Sequence, residues 1–132
     1  MMTEKEFNNS LMEPIQFSLA TSKIAVDKAS NKNVKEFAGF ELEEVTVITS
    51  VLKDLGTMIP EMNEETRTAF TEIESNAPGL DFDKLYIKAQ LKNHRLLRDI
   101  TEDYLKEAPV KNLDKEESQA RHLAALALTV FN

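Results

Sequence analysis

Apolar residues recur at helical spacing along most of this chain. The clearest run is residues 81–107, where Phe82, Leu85, Tyr86, Ala89, Leu96, Ile100 and Tyr104 form one stripe, the repeat of a long amphipathic helix. Asp81 is placed to cap its start. A second stripe, Val34, Ala38, Val45, Ile48, Leu52 and Leu55, predicts a helix over 34–55. Asn33 would cap this helix and Gly56 would end it. Upstream, residues 3–11 suggest a short opening helix that breaks near Pro14. Proline suits the first turn of a following helix, which would reach Ser30 with Ile15, Leu19, Val26 and Ala29 on one face. Asn63 is the expected cap of a short peripheral helix over 64–75, and Asn76-Ala77-Pro78-Gly79 is a strong turn signal. Beyond Ala108-Pro109-Val110, Asp114 and Glu117 form a capping-box variant. They would open a last helix that is apolar around most of its circumference, from Ala120 to Phe131.

No strand alternation and no internal repeat occur. The pattern predicts an all-α fold: an up-and-down four-helix bundle with a short accessory helix between the second and third main helices. One helical-bundle domain would span residues 1–132.

Charge narrows the partners. With a net charge of −7, the chain lacks the cationic surface that phosphate backbones and anionic membranes require, so no nucleic-acid partner is expected. No run of about 18 apolar residues exists, and hence no membrane span is expected. There is no cysteine, which removes disulfides, thiolate metal sites and thiol nucleophiles. The N-terminus MMTEKEFNN is not a signal peptide. The expected location is therefore cytoplasmic as written, or the periplasm or envelope if a leader was removed. The last helix is still apolar at Phe131-Asn132, an end suited to a second copy or another protein.

Glu41 is the sharpest anomaly, a carboxylate inside the stripe of its helix between Ala38 and Val45. It must be paired, solvated or neutralised, and the simplest expectation is that it lies where the bundle is wet or snorkels outward. The Glu-x-x-His pairs of di-iron bundles are absent, since Leu91 precedes His94 by three and Gln119 precedes His122 by three. Glu41, Glu44, His94 and His122 would make a mononuclear carboxylate–imidazole site for zinc, iron or manganese if they converged. A divalent metal is the one cofactor these residues suggest, and no other is expected. The plainer expectation for His94 is a structural histidine hydrogen-bonded between helices. Asn93 lies near the centre of the main stripe, whereas His94 shares a second face with Ile87, Leu91 and Leu105. Phosphate loops, G-x-S-x-G elbows and H-E-x-x-H pairs are all missing, so no catalytic residue is assigned.

Several segments carry a family resemblance: Ala25-Val26-Asp27-Lys28-Ala29-Ser30-Asn31 with Val34-Lys35-Glu36-Phe37-Ala38, Phe82-Asp83-Lys84-Leu85-Tyr86 with Gln90 and His94, and Arg121-His122-Leu123. Over roughly residues 7–126 the chain resembles the ferritin-like family catalogued as domain of unknown function 4142. The resemblance implies a mainly bacterial helical bundle, often exported to the envelope, with no established activity. Family members commonly carry a Met and then an Asp-His pair in the second helix, and Glu41, Glu44 and Val45 hold those places here. Taken together, these readings predict a non-catalytic binding or structural bundle in the bacterial envelope or stress physiology. The alternative is a metal-binding bundle. A third reading, an apolar-ligand carrier, requires a cavity between the 81–107 helix and the last helix.

Overall fold

The computed structural model describes residues 2–107, and all four elements among them are helices: α1 (Glu4–Lys28), α2 (Lys32–Asp54), α3 (Glu64–Ser75) and α4 (Leu80–Glu107). The fold is an all-α bundle. The expected last helix and His122 lie outside the described residues.

Helix α1 is one continuous element, not a short helix followed by a second one beginning at Pro14. Two features carry it through the proline. Thr3 caps the start, its Oγ1 accepting from the Glu6 amide at 3.1 Å and donating to the Glu6 carboxylate at 3.0 Å, a capping-box variant that the sequence reading missed. Phe7, Leu11 and Ile15 are then buried on both sides of Pro14 in the same apolar cluster. Packing on one face thus outweighs a helix break worth about 3 kcal/mol.

Helix α2 starts earlier than expected. Asn31, not Asn33, is its cap, accepting from the amides of Asn33 and Val34. Its end matches the expectation at Gly56, which adopts φ 85°. The Gly56 amide bonds the Lys53 carbonyl and the Thr57 amide bonds the Leu52 carbonyl, the paired bonds of a Schellman motif. Asn63 caps α3 as expected. Asp81 is not a cap, because α4 already begins at Leu80 and Asp81 sits in its first turn, where it complements the helix dipole.

Successive helices reverse direction. Gln16 meets Thr49 and Ser18 meets Glu41, which sets α1 and α2 antiparallel. Asn63 and Thr66 contact Glu13, while Lys28 donates to the Glu74 carbonyl, so the short α3 runs alongside α1. Helix α4 returns antiparallel, with Tyr104 stacked on Phe7 at 4.1 Å between ring centroids and Asp83 beside Ser30. Helices α2 and α4 therefore flank α1 and run in the same direction.

The interior has two apolar clusters. One, near the start of α1, joins Phe7, Leu11, Met12 and Ile15 to Val45, Ile48 and Leu52 and to Leu97 and Tyr104. The other, near the end of α1, joins Phe17, Ala25 and Ala29 to Ala38, Ile73, Phe82 and Tyr86. Buried polar residues gather where the two meet: Ser18, Thr21 and Ser22 on α1, Glu41 on α2, and Gln90 with the largely buried His94 on α4.

Candidate functional site: a carboxylate–imidazole pair in a buried polar layer

Heptad-like spacing puts these polar residues into the core. Positions 11, 15, 18, 22, 25 and 29 line one face of α1, and the residues there change from Leu and Ile to Ser, Ser, Ala and Ala. Small hydroxyl residues leave room for longer polar side chains from the two flanking helices. Glu41 enters this space from α2 and is 2% exposed. The expectation that it sits in a wet region or snorkels outward is thus overturned, and the reason is local pairing. Its Oε2 accepts from the Ser18 hydroxyl at 2.6 Å and lies 2.9 Å from Nε2 of His94. A carboxylate only accepts, so Nε2 is the protonated ring nitrogen.

The layer continues through α4. Gln90 Nε2 donates to the Thr21 hydroxyl at 3.1 Å, and its Oε1 lies 3.2 Å from the Ser18 hydroxyl, a second and longer acceptor for the hydrogen directed at Glu41. Ser22 and the Tyr86 hydroxyl are 2.7 Å apart. Burial pushes the Tyr86 phenol far above its ordinary range, the Ser22 hydrogen bond opposes this, and the Glu41 charge adds to it. Tyr86 is thus neutral at physiological pH.

His94 is the bridge between α4 and α2, as the plainer expectation had it. Its place on the second face of α4 is compatible with this, because that face borders α2. Asn93, by contrast, does not meet Glu41. Its side-chain amide donates to the Pro14 carbonyl at 2.8 Å, so it ties α4 to the proline turn of α1. Glu44 lies one turn along α2 on the exposed side. Partial burial and the nearby Glu41 charge raise its carboxyl above the ordinary value, with His94 pulling the other way.

The four candidate ligands are therefore divided. Glu41 and His94 touch, Glu44 is coupled to both by charge, and His122 lies outside the described residues. Among the described residues no three acidic or histidine side chains gather closely enough to cage a metal ion. Two donors fall short of the three or four protein ligands of a zinc site. Ser18, Thr21, Ser22 and Gln90 were not picked out from the sequence. The run of small hydroxyl residues on the stripe of α1, facing Glu41, was the signal that could have found them.

A second polar anchor pins the end of the bundle. Asp83 accepts from the Ser30 amide at 3.1 Å, the Ser30 hydroxyl at 3.1 Å and the Asn31 amide at 2.8 Å. Burial works to raise its pKa, but these three hydrogen bonds outweigh it and hold the carboxyl below its ordinary range.

A helical bundle with a buried Glu–His bridge between parallel helices is the class that fold and site define. The chain belongs to the family described as Domain of unknown function (DUF4142), whose profile matches residues 1–122. No curated protein and no solved structure matches the chain.

Proposed function

We propose that this protein is a non-catalytic, ferritin-like helical bundle that serves as a binding or structural module in the bacterial envelope, the setting that the family resemblance implies, or in stress physiology. One observation carries the reading. The same carboxylate oxygen of Glu41 holds both Ser18 and His94. The order is serine–carboxylate–histidine. A hydrolytic triad needs the histidine between the other two, so that it can take the serine proton. Here Ser18 is fully buried and its proton already points at the carboxylate, so the trio supports packing rather than nucleophilic attack.

The second reading is a metal-binding bundle, favoured by the contact of Glu41 with His94 and the charge coupling of Glu44 to both. Carboxylate and imidazole suit zinc, iron or manganese, with His122 as the further candidate ligand. Elemental analysis separates the two. The protein would be exposed to each of these ions, dialysed, and compared with Glu41→Ala and His94→Ala. The structural reading expects no stoichiometric metal in any of the three. One metal per chain in the parent, lost in both variants, would overturn it.

A further inference from the structure

Helices α1, α3 and α4 enclose a cleft of about 480 Å³ on the flank of α1 away from α2, a volume in the range of small-molecule sites. Its apolar walls include Phe17, Ala69, Ala89 and Leu96. Its polar lining mixes donors and acceptors, but the donors of Asn63, Thr66 and Asn93 are spent on Glu13 and the Pro14 carbonyl. Glu13 is held by the Asn63 side-chain amide at 2.6 Å and the Thr66 hydroxyl at 3.0 Å, both on Oε1, which fixes the carboxylate and leaves Oε2 to accept elsewhere. Ser10, one turn earlier, also lines the cleft. Its carbonyl loses the helix bond that residue 14 would return, because Pro14 has no N–H.

Asn93 supplies the independent observation. It is 7% exposed and lines the cleft. Its Nδ2 donates to the Pro14 carbonyl, and since a carbonyl only accepts, this orientation of the amide is fixed. Oδ1 therefore faces away from Pro14, and no described donor reaches it. That oxygen keeps contact with solvent in the cleft, since the buried side-chain atom left without a partner among the described residues is Asn8 Oδ1, so a ligand donor there would take the place of water. At the mouth, Lys92 is offset by Glu65, 3.9 Å away, so Glu13 remains as the unneutralised charge.

We propose that this cleft binds a primary alkylammonium group. The three N–H donors match the Ser10 carbonyl, Oε2 of Glu13 and Oδ1 of Asn93, and the alkyl stem lies along Phe17, Ala69, Ala89 and Leu96. The ring of Phe17 adds attraction for a cation. A neutral alcohol of the same length offers one donor and no charge, and a carboxylate is repelled by Glu13. The inference stands apart from either reading of Glu41, since no group in the Glu41 layer takes part.

The test is an amide NMR titration of the full chain with n-hexylammonium, with n-hexanol and hexanoate in parallel. Saturable shifts centred on Phe17, Ala69, Ala89 and Leu96 are expected for the amine alone. Glu13→Gln should weaken binding about tenfold, the loss of one charge-assisted hydrogen bond. Ala69→Leu fills the floor without touching an acceptor and should abolish the shifts. Absence of saturable shifts, equal binding of hexanol, or unchanged affinity in either folded variant would overturn the proposal. If Glu13→Gln does not fold, the hexanol comparison and Ala69→Leu still decide it.

Discussion

Phe7's cluster and the polar layer beside it occupy the same three helices, yet they hold those helices together in different ways. The cluster is built from Leu, Ile, Met and aromatic side chains that are almost fully buried. Its attraction scales with area and does not depend on direction. One turn further along, Glu41, Ser18, Gln90 and His94 must meet at hydrogen-bond distance. Sliding α4 by one turn would preserve much of the first region but separate Gln90 and His94 from Ser18, Thr21 and Glu41. The apolar cluster is thus expected to supply most of the stability and the polar layer to specify the register, a role with precedent for buried polar groups elsewhere.

The largest effect should come from the apolar side. Leu97→Ala removes a fully buried side chain and should lower unfolding free energy by about 2–5 kcal/mol, read from the urea midpoint. A loss similar to that of an exposed residue would break the assignment of stability to this cluster. His94→Ala should cost less, about 1–3 kcal/mol, because the Glu41 carboxylate then keeps fewer donors in a buried site. The double variant Glu41→Leu with His94→Leu sharpens the contrast. Replacing both partners by apolar groups should recover most of that loss, while the amide NMR spectrum broadens as register becomes less defined. A double variant as unstable as His94→Ala, with a sharp spectrum, would sink the register role.

The smallest effect belongs to Asp83, whose contribution is present at neutral pH and fades in acid. Its carboxyl sits below the ordinary value of 3.8 in the folded state. A depressed carboxyl contributes stability that is fully present above the unfolded value and lost as pH falls through the folded one. Urea midpoints of the parent should therefore drop more steeply below about pH 4 than those of Asp83→Asn. Parallel curves would show that the hydrogen bonds to Ser30 and Asn31 contribute nothing to this linkage.

Much of the bundle was legible in the chain because helix periodicity and punctuation agree. Asn63, Gly56 and the turn at 76–79 each act through local backbone chemistry, and each matched. Pro14 misled for the opposite reason, since a local breaker was overridden by burial of Phe7, Leu11 and Ile15, which pattern alone does not weigh. Glu41 was visible as an anomaly, but its resolution depended on Ser18 and His94, 23 and 53 residues away. Pairing across such separations is set by how the helices pack, and spacing along one helix cannot show it. The cleft escaped notice entirely, because its walls come from three helices and no single stretch carries its acceptors together.

The triple hydrogen bond at Asp83 has one more consequence, for motion. It fastens the first turn of α4 directly to the α1–α2 corner, bypassing α3. The short helix buries fully just Ile73 among its own residues, and segments with so little buried apolar surface open at low free energy. Helix α3 can therefore swing away and return while the three long helices remain closed. Amide hydrogens of α3 should exchange with solvent well before those of α4, and such openings would widen the cleft beyond its mouth at Lys92 and Glu65.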